Sequence, residues 1–259
     1  MPRAYCLIRP QPVYRSDAFR QGLKAAGYEV RGAPGSVEPG DVVCMWNRYT
    51  ENHELACRVE KAGATVIVAE NAYVLSRFDG GEHYAISKHA HNGRGEWPTG
   101  GPERWESFGI PLKPWRINGE HVLIAPNRGF GQPGGIMHPS WARGVKERLK
   151  RHTKREIRIR EHPGQSAPKV PLERDLENAW AVIVWSSSVG VRALIEGVPV
   201  FYEAPYWICS GAASKQIENI ESPFMDSASR LDSFRSLSYA QWSVAEINSG
   251  EPFRRLLQC

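Results

Sequence analysis

The stretch Val182-Ile183-Val184-Trp185-Ser186-Ser187-Ser188-Val189-Gly190-Val191-Arg192-Ala193-Leu194-Ile195-Glu196-Gly197-Val198-Pro199-Val200-Phe201 decides how this chain is read. Its opening run is apolar and β-branched with no polar alternation, the pattern of a strand covered on both faces. A serine turn follows, and Ser187 or Ser188 is placed to cap a helix by accepting from one of its orphan N–H groups. Gly197 suits the position just past the helix end, and Pro199 keeps the helix from continuing. A second apolar strand completes a βαβ unit. Free N–H groups at the start of its helix suit an anion such as the phosphates of a nucleotide. An ordinary serine-capped crossover has the same pattern, so this stretch alone leaves the ligand open.

A second segment bears on that choice. Arg155-Glu156-Ile157-Arg158-Ile159-Arg160-Glu161-His162-Pro163-Gly164 alternates like a strand and then meets a proline and a glycine that force a loop. Ligands of open α/β sheets gather beyond the carboxyl ends of strands, which is where His162 falls. A strand ending in His-Pro, then a strand, a Ser-Ser turn and the helix–strand Ala193-Leu194-x-x-Gly197-x-Pro199-Val200 resembles the donor half of GT-B glycosyltransferases. The similarity is to the capsule-polysaccharide type and to small glycosyltransferase-like proteins carried by bacteriophages. It covers about residues 120–210, and the N-terminal half matches only in its general α/β pattern.

The resemblance implies an α/β protein of two Rossmann-like domains facing a cleft. An acceptor-side domain would span 1–115 and a nucleotide-sugar-binding domain with closing helices 120–259. The His-Pro loop and the serine turn would hold the phosphates of a nucleotide sugar, uridine-linked, taken as a donor substrate and not as a permanent cofactor. An acid on the helix after the serine turn, here Glu196, would accept hydrogen bonds from the ribose; a solvent-facing charge is the ordinary alternative. No metal is expected at the pyrophosphate, because a helix dipole and basic groups serve there.

Composition sets bounds. At 259 residues the chain holds one large domain or two of about 120 residues each. No apolar run approaches the ~18 residues of a membrane span, and Met1–Arg9 has too short an apolar core for a signal peptide, so a cytoplasmic protein is expected. Five cysteines with no C-x-x-C pair argue against a disulfide framework or a zinc site. A net charge of +5 gives a mild push toward an anionic partner.

The first 75 residues alternate strand and helix. Strands are expected at Tyr5 to Ile8, Tyr28 to Gly32, Asp41 to Trp46 and Ala64 to Ala69. Helices are expected at Ser16 to Ala26, with Ser16 as cap, and at His53 to Ala62. Residues 76–119 break the rhythm with glycines, prolines, histidines and tryptophans. They read as an ordered active-site loop region that leads into a linker near Pro111 to Gly119. Strands at Glu120 to Ala125, up to His162, up to Trp185 and up to Tyr202 make the second α/β unit, with a basic helix over Pro139 to Arg151. Helices near Ala228–Leu237 and Tyr239–Ile247 close the chain; in the resembling fold such helices pack back across the first domain.

Three further constellations can carry chemistry. After the strand ending at Ala125, Gly129, Gly131, Gly134 and Gly135 let backbone approach a ligand, and Arg128 adds a permanent charge. No Gly-Lys-Ser/Thr follows, so this is not a P-loop, and Pro133 fits a dinucleotide fingerprint poorly. In the 76–119 region, Asp79 and His91 are candidates for the base that deprotonates an acceptor hydroxyl, with Glu82 and His89 in reserve. A surface loop whose histidines bind nothing is the plain alternative. At the strand ends, Asn47-Arg48 and Glu70-Asn71 stand where they can touch acceptor or donor.

The reading is a nucleotide-sugar-dependent glycosyltransferase. Its acceptor is expected to be a hydroxymethylated pyrimidine in double-stranded DNA, met by the basic helix and by a loop where Trp97 and Trp105 can stack a displaced base. A glycan or capsule-type acceptor is the enzyme alternative, and a non-catalytic nucleotide- or DNA-binding protein of the same fold is the other.

Overall fold

The apolar runs become the strands of two sheets. The computed structural model describes residues 1–162 and 170–257. In chain order these form β1 (Arg3–Cys6), α1 (Ser16–Ala25), β2 (Glu29–Arg31), β3 (Val42–Trp46), α2 (Glu51–Lys61), β4 (Thr65–Asn71), β5 (His83–Lys88), α3 (Glu103–Ser107), β6 (His121–Ala125) and α4 (Trp141–Leu149). There follow β7 (Glu156–Ile159), α5 (Leu172–Leu176), β8 (Ala179–Val184), α6 (Ser188–Ile195), β9 (Val200–Tyr202), α7 (Ser227–Ser238), β10 (Gln241–Ser243), α8 (Val244–Ser249) and α9 (Glu251–Leu257). The chain divides into two units, Met1–Gly101 with Ser236–Cys259, and Pro102–Arg235.

Unit 1 carries a six-stranded sheet in the order β10-β5-β4-β3-β1-β2. The strands β1 to β4 run parallel, while β5 is antiparallel to β4 and β10 to β5. Its central strands alternate between two buried faces, as a sheet covered on both sides must. Cys44, Ile67 and Ala69 pack with Phe19, Leu23, Trp242, Ile247 and Phe253. Val43, Met45, Val66 and Val68 pack with Ala56 and Val59 of α2. Burying one such side chain contributes about 1.5–3 kcal/mol. Gly22 lets α1 lie directly on α8, since a Cβ there would sit 1.9 Å from the Ile247 carbonyl oxygen.

Unit 2 carries a four-stranded parallel sheet in the order β7-β6-β8-β9. Every residue of β6 and β8 is buried. The chain leaves β6 for β7 on one side and returns to β8 on the other, so the strand order reverses at β6. Such a switch point leaves a crevice at the carboxyl ends, where ligands of open sheets bind. The helix α6 ends as its sequence dictates: Gly197 has φ 75°, Val198 N–H donates to Ala193 O at 2.9 Å and Gly197 N–H to Leu194 O at 3.2 Å. This pair of bonds satisfies carbonyls that the helix end leaves over.

Five expectations are corrected. Ser16 does not cap α1; Arg15, in a left-handed conformation, precedes it without a side-chain cap. The region 76–119 is not all loop, because His83–Lys88 forms β5, whose mixed polar alternation between glycines hides a strand with four buried residues. The domain boundary falls at Gly101/Pro102, and residues 111–119 are no linker: Lys113 N–H donates to Ile195 O at 2.9 Å and Arg116 N–H to Gly197 O at 2.8 Å. Residues 236–257 belong to unit 1 and not with 120–235. There the helix expected over Tyr239–Ile247 is β10 followed by α8, because Ser243 and Glu246 form a capping box that starts the helix at Val244. Among the described residues no helix is long and apolar enough to cross a membrane.

Candidate active site

The switch point of unit 2 gathers most of the residues singled out for donor binding. Asn127 and Arg128 follow β6, His162 follows β7, and Ser186 to Ser188 follow β8. The Asn127 amide ties two strand ends together: its Nδ2 donates to Ser186 Oγ at 3.1 Å and its Oδ1 accepts from Ser186 N–H at 3.2 Å. Trp185 Nε1 donates to Gly135 O at 2.7 Å and holds the glycine loop against the same turn. Ser187 is the cap of α6, its Oγ accepting from Val189 N–H at 3.3 Å. Ser188 is the exposed first residue of that helix.

Arg128 and His162 meet, with Arg128 Nε donating to His162 Nδ1 at 3.4 Å. Loss of hydration, then the charges of Arg128 and Arg160, push the His162 imidazole below its ordinary range. A neutral ring that accepts at Nδ1 keeps its proton on Nε2 and can donate there. A helix N-terminus, a guanidinium and an imidazole thus stand on neighbouring strand ends, groups of the kind that bind anions. Pro163 and Gly164 of the His-Pro-Gly loop lie outside the described residues.

The glycines divide by role. Gly129 and Gly134 take φ 75° and 82°, which glycine adopts readily, and a Cβ on Gly131 would make only ordinary contact with Ile136, at 3.9 Å. Gly135 makes room for Tyr206, whose hydroxyl would lie 2.1 Å from a Cβ. Glu196 is not brought to this site. It is the residue after α6, eight residues and about 12 Å from the serine end at 1.5 Å per residue, and its carboxylate pairs with Lys113. The ribose contact implied for it has no geometric support here.

Unit 1 holds a second polar cluster, at the carboxyl ends of β3 and β4. The Asn47 amide, oriented to satisfy its neighbours, donates to Glu70 Oε1 at 2.9 Å and Oε2 at 3.0 Å and accepts from Tyr49 OH at 2.6 Å. His91 Nε2 stands 3.4 Å from Glu70 Oε2. Burial raises the Glu70 carboxyl above its ordinary value, with the nearby His91 opposing. Non-glycine residues in the left-handed region crowd this corner: Asn47 (φ 60°), Thr50 (φ 53°), His89 (φ 66°) and Asn92 (φ 56°). Strain of this kind, about 1–3 kcal/mol per residue, gathers at functional sites.

The remaining base candidates have structural work. Asp79 Oδ2 accepts from Ser76 N–H at 3.1 Å and Ser76 Oγ at 2.8 Å, closing a capping box on a one-turn helix. Its Oδ2 therefore has a structural role in that turn. Glu82 pairs with Arg15 at 2.6 Å, and His89 Nδ1 lies 3.0 Å from Glu60. Arg48 is 5% exposed, not a free surface charge, and makes a bidentate pair with Glu60 at 2.5 and 2.6 Å. Burial alone would raise the Glu60 carboxyl, but Arg48 and His89 bring it below the usual range.

Two residues carry more than their sequence suggests. Asn127 was one residue in a glycine loop, and its signal is an amide directly after one buried strand with a serine directly after the next. Glu70 was marked only by its place at a strand end. Among the described residues no group of three His, Cys, Asp or Glu is placed to hold a metal ion.

The two sheets define a class: an α/β protein of two Rossmann-like units, of the GT-B type. No family model matches the chain, and no curated protein does. Solved structures of KpsC from Thermosulfurimonas dismutans share the fold. One, described as a β-Kdo 2,4 transferase, has a TM-score of 0.62 at 12% identity, over 93% of this chain and 92% of its own. Another, described as a β-Kdo 2,7 transferase, has a TM-score of 0.55 at 13% identity, over 90% and 89%.

Proposed function

We propose that this protein is a glycosyltransferase that takes a nucleotide sugar and transfers the sugar to a hydroxyl of a glycan. The observation that carries the reading is the meeting of Arg128, His162 and the Ser186–Ser188 turn on adjacent strand ends of a GT-B fold. The donor phosphates rest on the start of α6, with the side chains of Arg128 and His162 beside them. Negative charge builds on the phosphates as the bond to the sugar breaks, and fixed donors aimed there stabilise it. Within unit 1, the Asn47, Glu70 and His91 cluster is a polar group able to exchange a proton with a hydroxyl. The transferases that share the fold support sugar transfer; a uridine-linked donor rests on the resemblance of the serine-turn segment.

A second acceptor, hydroxymethylated DNA, is favoured by one feature. Arg143, Lys146, Lys150, Arg151 and Lys154 lie on or just after α4, beside a pocket of about 520 Å³ lined by residues 150–155 and Glu221. The stacking role expected of Trp105 does not suit its place, since it is 5% exposed and packs on Phe234 at 4.8 Å. The test incubates the protein with a panel of nucleotide sugars, including Kdo and uridine-linked donors. The acceptors are a capsule-type oligosaccharide, unmodified DNA and hydroxymethylcytosine DNA, and mass shifts are read in each. Transfer to the oligosaccharide alone supports the glycan reading. Transfer to modified DNA alone replaces it. In that case affinity falls linearly with salt on logarithmic axes, with a slope of about −0.9 per phosphate contacted. No transfer with any donor leaves a non-catalytic binder.

A further inference from the structure

We propose that the loop after β6 holds the base of the donor nucleotide, with Phe130 as its stacking face and Gln132 as the side chain that reads its edge. This rests on the glycosyltransferase reading above and uses groups of unit 2 alone. The loop 127–136 is pinned at both ends. At one end the Asn127 amide is bonded to Ser186, and Asn127 N–H donates to Met137 Sδ at 3.3 Å. At the other, Gly135 N–H donates to Gln132 O at 3.0 Å and Trp185 Nε1 donates to Gly135 O at 2.7 Å. A Cβ on Gly129 would lie 3.8 Å from Met137 O and one on Gly131 3.9 Å from Ile136 Cγ1, so the two limbs of the loop face each other. The turn is thereby held against Trp185, the residue that leads into the serine turn.

Two features of this loop do not serve the core. Phe130 is 71% exposed and Ile136 48%. A single exposed apolar side chain is ordinary, but these two stand on facing limbs of one loop. Phe130 is two residues from Arg128, so their Cα atoms are no more than about 7 Å apart. Gln132 is the opposite case. It is 4% exposed, and its Oε1 is buried with no hydrogen-bond partner. Stranding a buried acceptor costs stability, so such a group in a folded protein calls for a reason.

The ligand follows from the combination. Arg128, His162 and the start of α6 alone fit phosphate or pyrophosphate. Joined to a flat apolar face and a buried amide, they fit a phosphate attached to a planar ring with polar edges, which is a nucleotide. Sites for such molecules are mostly apolar, with a few polar groups that fix orientation. An aromatic face stacks on any base and does not choose among them. The amide must match donors and acceptors on the base edge, so Gln132 supplies the choice.

The experiment titrates wild type, Phe130→Ala, Phe130→Tyr and Gln132→Met by calorimetry. The ligands are uridine, cytidine and adenosine diphosphates and inorganic pyrophosphate, which has no base. Thermal midpoints are read without ligand. Phe130→Ala should weaken the nucleotide that wild type binds best by about 5- to 150-fold, the worth of one base–aromatic stack, and leave pyrophosphate within about twofold. Phe130→Tyr should restore the nucleotide affinity. Gln132→Met should weaken the same nucleotide by about 2- to 12-fold, the worth of one net hydrogen bond, and narrow the spread among the three bases. Its midpoint should hold or rise, because an apolar side chain of similar shape removes an unpaired acceptor and breaks no bond. A Gln132→Met that melts several degrees lower, or does not fold, assigns the residue to structure and overturns its reading role. Nucleotide affinity unmoved in both Phe130→Ala and Gln132→Met overturns the subsite and leaves the donor reading standing. So does an equal loss for nucleotide and pyrophosphate in Phe130→Ala, or a wild type that binds pyrophosphate as tightly as any nucleotide. A wild type that binds neither nucleotide nor pyrophosphate ends the donor reading itself and the subsite with it.

Discussion

Replacing Ser188 by aspartate should strengthen the folded protein slightly while weakening its hold on the donor. Ser188 is the exposed first residue of α6, and the cap is the neighbouring Ser187, whose bond to Val189 N–H the substitution leaves alone. A carboxylate in the first turn meets the positive end of the helix dipole, a gain of about 0.3–1 kcal/mol. The same charge opposes a phosphate seated at that terminus. At about 5 Å, two unit charges repel by ~0.8 kcal/mol in a water-like dielectric and ~3 kcal/mol at an effective constant near 20. That range corresponds to a fall in nucleotide affinity of about 4-fold to 150-fold, and the exposure of Ser188 favours its lower part. Two assays on one sample are needed: thermal unfolding without ligand, and calorimetric titration with uridine diphosphate at low and high salt. The fall in affinity should shrink as salt screens the charge. Unchanged affinity together with a raised midpoint would refute the placement of the phosphates while leaving the helix geometry intact.

Substituting His162 by alanine should weaken donor binding and leave melting at neutral pH within a few degrees, because the ring is a surface donor and not a core element. Folding holds this ring below its ordinary value, so as pH falls through about 6.5 the unfolded chain takes up the proton first. Stability present above that pH is then lost on acidification, and a melting series from pH 8 to 5 should show less of this loss in His162→Ala. Gly190→Val should cost about 1–3 kcal/mol, since a Cβ there would lie 2.7 Å from the ring of the buried Trp207; an unaltered urea midpoint would contradict that packing. Gln241→Leu removes one buried oxygen that accepts from both Tyr73 and Val74 N–H at 3.1 Å. At about 1–3 kcal/mol for each donor so stranded, chemical denaturation should show unit 1 markedly destabilised.

The amino-acid sequence was legible where local chemistry repeats the global plan. The unbroken apolar runs at Val42–Trp46 and Val182–Val184 became fully covered central strands, and Gly197 ended α6 as its lack of a Cβ allows. Strand ends in a parallel sheet converge, so the proximity of Arg128, His162 and the serine turn could be read without knowledge of long-range contacts. Reading failed where a residue's role depends on a distant partner. The capping bond from Ser76 to Asp79 is not visible in the sequence, and Arg48 looks exposed until it folds back onto Glu60. β5 and β10 were missed because each is short and carries polar residues, and β10 finds its pairing partner, β5, over 150 residues away. Glu70 gains its meaning from Asn47 and His91, one before it and one after, which no periodicity connects.

Unit 2 is an insertion within unit 1, and this has a consequence for biosynthesis. A ribosome delivers β1 to β5 early, but the sheet edge they leave bare is covered by β10, and α1 meets α8 only after the whole of residues 102–235 has been made. Closing a longer loop adds little to the equilibrium cost, since each doubling of length adds about 0.6 kcal/mol. It adds much to the waiting time, because non-local pairing is slow. Unit 2 is contiguous in sequence and free to fold as it emerges, whereas the nascent first half must stay open with an unpaired strand beside it. That interval is when this protein is most exposed to misassociation and most in need of a chaperone.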